Sequence, residues 1–166
     1  FSEWRFGAAG EERPDFVLNE PRYRQAEILL TGPNFGCGSS REAAVWALAR
    51  YGFRAILAPK FADIFYENAF RNGLLAALVE PEALEELCLL AQGDAPHLTV
   101  DLERCEVRTA GGRSWRFAVP GPRRLALMRG DDEIAASLRN LPAIEAFETA
   151  DRQARPWSYA PLLSAR

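Results

Sequence analysis

Three short apolar segments that alternate with helical patterns constrain the fold of this chain more than any other feature. Ala26 to Thr31, Arg54 to Ala58 and Leu74 to Val79 each have the length and composition of a buried strand. Between them, the apolar residues of Ala43 to Tyr51 and of Phe61 to Asn72 recur at helical spacing. The order β-α-β-α-β predicts parallel strands joined by helices that cover the sheet.

The second half of the chain has a different pattern. A third helix is predicted to begin at Pro81 and to end near Gly93. Three short strands follow at Leu98 to Leu102, Cys105 to Thr109 and Arg113 to Val119, and the last two are predicted to form a hairpin. Short helices complete the pattern at Arg123 to Arg129, Asp132 to Asn140 and Ala143 to about Asp151. We therefore expect an α/β fold with a mixed sheet, flanking helices and antiparallel strands added to a parallel set.

Length and composition are those of one globular domain. The 166 residues are expected to form a single domain, with an irregular lead-in over 1–25 and a loose tail over 155–166. The chain is 48% apolar and 26% charged, which excludes disordered and coiled-coil classes, and its apolar runs are too short to span a membrane. It begins Phe1-Ser2-Glu3, without a Met or the features of a signal peptide. We expect a chain that has been cut rather than targeted.

Charge and cysteine content exclude two further classes. The 20 basic residues are scattered among 23 acidic ones, for a net charge of −3, so nucleic acid is not expected as a partner. Cys37, Cys88 and Cys105 are odd in number, far apart and without a neighbouring His. This pattern indicates neither a disulfide framework nor a metal site held by this chain, and it favours a reducing, cytoplasmic setting.

The segment from Asn34 to Glu42, N-F-G-C-G-S-S-R-E, is the most informative stretch for chemistry. It joins a predicted strand to a predicted helix, which is where open α/β sheets bind ligands. Its glycines allow close approach of the backbone, and the amides at a helix N-terminus attract a carboxylate or phosphate. Arg41 adds a bidentate donor for a carboxylate.

A purely structural interpretation competes for the same residues, and two other functional ones are excluded. Ser39 and Glu42 have the spacing of a capping box, which is the commonest use of a serine at a helix start. The segment lacks the Lys-Ser/Thr ending of a nucleotide-binding loop and the G-x-S-x-G pattern of a serine hydrolase, and His97 stands outside any motif. Nucleotide binding and serine hydrolysis are therefore not expected.

The residues of this segment and of several others resemble the small subunit of 3-isopropylmalate dehydratase. The string F-G-C-G-S-S-R-E is highly specific because two glycines, two serines and an arginine occur in a fixed order between a strand and a helix. The resemblance extends over most of the chain, through Trp4-Arg5-Phe6, Pro14 to Asn19, Tyr51-Gly52-Phe53, Ala58-Pro59, Phe61 to Phe65, Asn68, Leu74-Leu75 and, more weakly, Arg123-Arg124, Gly130-Asp131 and Ile134.

This resemblance implies a fold, a partner and a cofactor. The fold would be the swivelling β/β/α domain of the aconitase superfamily, in a heterodimer with a large subunit that carries a 4Fe-4S cluster. No cofactor would be bound by this chain itself. The reaction would be the interconversion of 2-isopropylmalate and 3-isopropylmalate in leucine biosynthesis, a hydro-lyase activity that requires both subunits.

The resemblance also implies roles for individual residues. Ser39 would move the proton at the carbon adjacent to the substrate hydroxyl. Ser40 and Arg41 would hold a substrate carboxylate, with Gly38 and Asn34 completing the substrate-binding loop. Arg123, Arg124 and Asn68 are candidates for contact with substrate or partner. Paired arginines near a helix start are most often solvated or paired at the surface, and backbone bonding explains the position of Asn68 equally well.

The sequence departs from the family pattern at several positions. Ala43-Ala44 stands where the family has His-Ala, Pro122 replaces an aromatic residue, and Leu125-Ala126 replaces a more polar pair; the family's first few dozen residues are also absent from this sequence. These departures keep two alternatives open. One is a related dehydratase that acts on homoaconitate, citraconate or another small 2-hydroxy dicarboxylic acid, and the other is a non-catalytic paralogue that serves as a binding subunit.

Two expectations concern burial. Trp46, Phe61, Phe65 and Phe70 recur on helical faces and are expected in the core rather than in a cofactor site. Cys37 is expected to be a small buried side chain and not a cluster ligand.

Overall fold

A computed structural model describes residues 2–38, 41–93 and 97–159. The strands are β1 (Ile28–Leu30), β2 (Ala55–Ala58), β3 (Leu75–Val79), β4 (Leu98–Asp101), β5 (Glu106–Thr109) and β6 (Ser114–Ala118). The helices are α1 (Ser2–Arg5), α2 (Ala43–Tyr51), α3 (Asp63–Arg71), α4 (Pro81–Ala91), α5 (Gly121–Arg129), α6 (Glu133–Leu138) and α7 (Leu141–Ala154), with 3-10 turns at Val17–Asn19, Pro21–Tyr23 and Pro156–Tyr159. Every strand and helix expected from Ala26 onward is present within a few residues of its predicted bounds.

The six strands form one mixed sheet in the order β1-β2-β3-β6-β5-β4. β1, β2 and β3 are parallel, with Leu29 opposite Ile56 and Ile56 opposite Ala76. β6 is antiparallel to both β3 and β5, and β4 is antiparallel to β5. The predicted α/β fold with a parallel set and an antiparallel addition is confirmed.

Both faces of the sheet are covered, because successive strand residues point to opposite sides. On one face Ile56 and Ala76 pack with Val45 of α2 and Phe65 of α3. On the other, Leu57 packs with residues of α4 and of the antiparallel strands: Leu84, Leu87, Val107 and Phe117. All four residues of β2 are buried, as expected for a central parallel strand. The sheet therefore holds α2 and α3 side by side on one face.

The chain divides into two compact units, Phe1–Arg129 and Gly130–Arg166. The first contains the sheet. In the second, the Asp151 carboxylate on α7 accepts hydrogen bonds from Arg155 at 2.6 Å and from the Tyr159 hydroxyl at 2.9 Å. These two donors lower the pKa of Asp151 below its ordinary value. Among the described residues, no helix has both the length and the apolar character needed to cross a bilayer.

Candidate functional site

The loop between β1 and α2 is anchored to the segment that follows β2. The Phe35 amide donates to the Lys60 carbonyl at 3.1 Å, and the Phe35 carbonyl accepts from the Ala62 amide at 2.9 Å. These bonds form a parallel bridge between Phe35 and Phe61. The loop thus leaves the carboxyl end of a parallel strand, the edge at which α/β sheets bind ligands.

A tight turn then brings the backbone against α3. Asn34 and Gly36 have φ angles of 61° and 88°, and the Cys37 amide donates to the Asn34 carbonyl at 3.3 Å. A Cβ on Gly36 would lie 2.4 Å from the Cβ of Phe65. The Phe35 ring meets the Phe65 ring edge-on at 5.2 Å. Position 36 therefore requires glycine both for its φ angle and for its contact with α3.

The described loop residues that follow this turn are exposed to solvent. Gly38 is exposed, and a Cβ built on it would find nothing within 4 Å. Cys37 is also exposed, so the expectation that it is a small buried side chain is wrong. Its chain neighbours, Gly36 and Gly38, have no side chains that could cover it. Ser39 and Ser40 lie outside the described residues, so their predicted roles stay predictions.

The helix α2 begins in a different way from the expected capping box. Glu42 is the N-cap residue with no side-chain cap bond, whereas the box would have placed it three residues into the helix. The Arg41 carbonyl accepts from the Ala44 amide at 3.1 Å, so Arg41 stands at the entry to α2. Instead of returning to the backbone, the Glu42 carboxylate accepts from Asn72 Nδ2 at 2.7 Å.

Trp46 is 47% exposed, and its expected place in the core is wrong. Its indole Nε1 donates to Asn72 Oδ1 at 2.9 Å, so the ring lies across the end of α3. Phe61 and Phe65 are buried, as expected, and Phe70 is half-buried. Helical periodicity does not distinguish a ring that packs beneath a helix from one that bonds beside it.

The remaining predicted contacts, Asn68, Arg123 and Arg124, are found on α3 and α5. Asn68 is half-buried. Arg123 forms an ion pair with Glu67 and lies 4.8 Å from the Tyr66 ring centroid. Arg124 donates to the Glu103 carbonyl at 2.7 Å. In the free chain both arginines thus bond to their own domain; a role toward substrate or partner stays a prediction.

The three cysteines are the residues that could be ligands of an iron–sulfur cluster. Such clusters are held by several cysteine thiolates. Cys37 is in the loop, Cys88 on α4 and Cys105 before β5, and no group of three or more His, Cys, Asp or Glu among the described residues is arranged to hold a metal. The described part of this chain does not supply a ligand set for a cluster.

Sequence reasoning missed Tyr66 and Asn72. Burial raises the pKa of Tyr66, although the Arg123 guanidinium beside it opposes the rise, and its buried hydroxyl has no hydrogen-bond partner among the described residues. The sequence pattern marks Asn72 only as the last residue of a predicted helix. Nothing in the one-dimensional pattern pairs it with residues about thirty positions earlier.

Comparison with known proteins shows the structural class to which this fold belongs. The family profile of the aconitase C-terminal domain matches residues 1–82, which include the loop and the start of α2. A crystal structure of 3-isopropylmalate dehydratase from Methanocaldococcus jannaschii is 29% identical, with a TM-score of 0.56 over 74% of this chain and 70% of that one. The fold and the loop are thus of the aconitase C-terminal type.

Sequence relatives define the particular family. The 3-isopropylmalate dehydratase small subunit of Afipia carboxidovorans is 47% identical over 158 residues, covering 95% of this chain and 79% of the relative. The small subunit of Dinoroseobacter shibae is 46% identical with the same coverage. The chain belongs to the family of 3-isopropylmalate dehydratase small subunits.

Proposed function

We propose that this chain is the small subunit of a two-subunit hydro-lyase that interconverts 2-isopropylmalate and 3-isopropylmalate in leucine biosynthesis. The observation that carries the proposal is the identity of 47% over 95% of the chain with a protein of that name. The open loop at the carboxyl end of β1 supports it, since that edge of the sheet is where a small dicarboxylic acid would bind.

Each loop residue has a proposed part in the reaction. Ser39 takes the proton from the carbon next to the one that bears the hydroxyl, and returns a proton when water is added back at the other position. The substrate loses hydroxide and a proton as one water, then regains both. Ser40 and Arg41 bind a carboxylate, and the exposed backbone around Gly38 and Asn34 completes the binding loop.

The deprotonated serine requires stabilisation from several donors. A hydroxyl becomes basic only where aligned N–H groups and a cation favour its charged form. Ser39 precedes the N-terminus of α2, whose first amides and dipole favour negative charge. Arg41 adds a fixed positive charge two residues later.

We propose that the large subunit carries the 4Fe-4S cluster and closes the site in a heterodimer. The described residues of this chain offer no ligand set, so we derive no step from the cluster here. The three cysteines have free thiols, which supports a reducing, cytoplasmic compartment.

The test is turnover of 2-isopropylmalate by this chain mixed anaerobically with its cluster-loaded large subunit. Ser39→Ala should abolish turnover with little change in substrate affinity, because the serine acts only in the transition state. Ser114→Ala, an exposed serine at the start of β6, is the matched control and should retain full activity.

Other outcomes would redirect the proposal. Turnover of homoaconitate, citraconate or another 2-hydroxy diacid, but not of 2-isopropylmalate, would assign a related dehydratase. Turnover of none of them by the loaded complex would favour a non-catalytic binding subunit.

A further inference from the structure

The Asn72 side chain, at the C-terminal end of α3, makes three hydrogen bonds, two of which reach the start of α2. Its Nδ2 donates to Glu42 Oε1 at 2.7 Å and to the Asn68 carbonyl at 2.8 Å. Its Oδ1 accepts from Trp46 Nε1 at 2.9 Å. The partners fix the amide orientation, because the indole N–H can only donate and the carboxylate can only accept. We call Glu42, Trp46 and Asn72 the amide clamp.

The clamp fixes one end of the segment that contains the proposed catalytic serine. The other end is fixed at Gly36, whose backbone packs on Phe65 of α3. Phe65 and Asn72 are seven positions apart on α3, about 10 Å along a helix axis. Gly36 and Glu42 are six positions apart in the sequence, and an extended chain covers about 20 Å over that separation. Chain length alone therefore does not fix where Glu42 lies relative to Gly36, whereas the contacts of Gly36 with Phe65 and of Glu42 with Asn72 do.

The usual side-chain cap of a helix does not take the place of the clamp at the start of α2. α2 has no side-chain N-cap bond, and the Glu42 carboxylate that could have capped it is bonded to Asn72. Trp46 exposes about half of its surface while its indole N–H is bonded to the same amide. The exposed ring is thus explained by the hydrogen bond that it makes.

We propose that the amide clamp is a positioning device for the hydro-lyase reaction: it holds the start of α2, which the proposed catalytic loop joins at Glu42, against the end of α3. The inference rests on the proposed function for its kinetic consequences and on the structure for its geometry. Asn72, Glu42 and Trp46 are positioning residues: they act on the loop and do not touch the substrate. A small displacement of a catalytic group lowers turnover more than it lowers substrate binding.

Asn72→Asp is the most informative variant. It replaces the Nδ2 donor by an oxygen that faces the Glu42 carboxylate, so attraction becomes repulsion. In the reconstituted complex we expect kcat for 2-isopropylmalate to fall about tenfold or more, with a much smaller change in KM. Thermal unfolding should show that the variant remains folded.

Trp46→Phe removes only the indole N–H and gives a milder test. We expect kcat to fall about threefold, in line with the loss of one hydrogen bond. Trp115→Phe is the matched control, because Trp115 Nε1 also makes one exposed hydrogen bond, to Glu86 at 2.9 Å, but on the α4 side of the sheet. It should leave kcat unchanged.

Glu42→Gln keeps an oxygen that can accept from Asn72 Nδ2 and should retain most of the activity. Glu42→Ala removes that oxygen and should lower the activity.

Amide hydrogen exchange over residues 34–42 tests the clamp without an activity assay. Exchange should be faster in Asn72→Asp and Trp46→Phe than in the wild type and in Trp115→Phe. Unchanged exchange would overturn the proposal, as would unchanged kcat in both clamp variants. If the wild-type complex itself does not turn over 2-isopropylmalate, the proposed function fails, and the exchange result alone decides the clamp.

Discussion

At the scale of single residues, Gly36 is the loop position that accepts the fewest residue types. Alanine there would have to adopt a φ near 88° with its Cβ 2.4 Å from the Phe65 Cβ. The φ angle costs about 1–2 kcal/mol, and overpacking adds about 1–3 kcal/mol. We expect Gly36→Ala to lower the free energy of unfolding by the sum of these terms, or to displace the loop and lower kcat. Urea unfolding and turnover by the complex measure the two effects.

Gly112→Ala is the control for this prediction. Gly112 has a φ of 86°, but a Cβ there would meet nothing within 4 Å. It therefore carries the same backbone cost, about 1–2 kcal/mol, without the clash. Equal losses of stability in the two variants, with turnover unaffected in both, would contradict a special role for the contact between Gly36 and Phe65.

The sequence predicted residue types at the site better than their surroundings. The glycine-rich loop and Arg41 could be read from a nine-residue string, because their order is specific. The exposure of Cys37 and of Trp46 could not, since both depend on what packs above the residue. The predicted capping box is absent for the same reason: the Glu42 carboxylate accepts a hydrogen bond from Asn72, at the end of α3, and not from the backbone of its own helix.

At the scale of elements, periodicity was sufficient for the type and order of the strands and helices from Ala26 onward, whereas α1 lies in the segment expected to be irregular. The observed bounds differ from the predicted ones where a terminal residue makes a tertiary contact instead of continuing the helix. The helix expected from Phe61 begins at Asp63, because Phe61 forms a bridge with Phe35 of the loop. The antiparallel end of the sheet was predictable from the hairpin, but the pairing of β3 with β6 is long-range and has no local signal.

The α4 helix provides a stability prediction at this scale. Leu87 is fully buried against the sheet, whereas Leu89 on the same helix is 69% exposed. Leu87→Ala should lower the free energy of unfolding by about 2–5 kcal/mol, because it removes buried surface and leaves a cavity. Leu89→Ala should change it by less than about 0.5 kcal/mol. Urea denaturation of the two variants decides, and equal midpoints would contradict the observed packing of α4.

At the scale of the whole molecule, the proposed site is complete only with a partner. The loop from Asn34 to Gly38 is largely open to solvent, while Phe35 is held by its backbone bridge. The proposed chemistry requires a site from which water is excluded. The sequence of this chain contains no signal for the partner surface that closes the proposed site. The expectation that the chain forms a single domain also stays a prediction. The position of Cys37 in the open loop allows a direct test of partner coverage.

In the free chain, alkylation with iodoacetamide should modify Cys37 before Cys88. Cys37 is exposed, whereas burial raises the pKa of Cys88 and so lowers its thiolate fraction at any pH below that pKa. The rate at Cys88 should therefore continue to rise as the pH is raised above the range of an ordinary thiol. Addition of the large subunit should slow modification of Cys37 and leave Cys88 unchanged, as peptide mass spectrometry would show. Unchanged labelling of Cys37 in a complex of proven stoichiometry would place the partner elsewhere and remove the loop from a shared site.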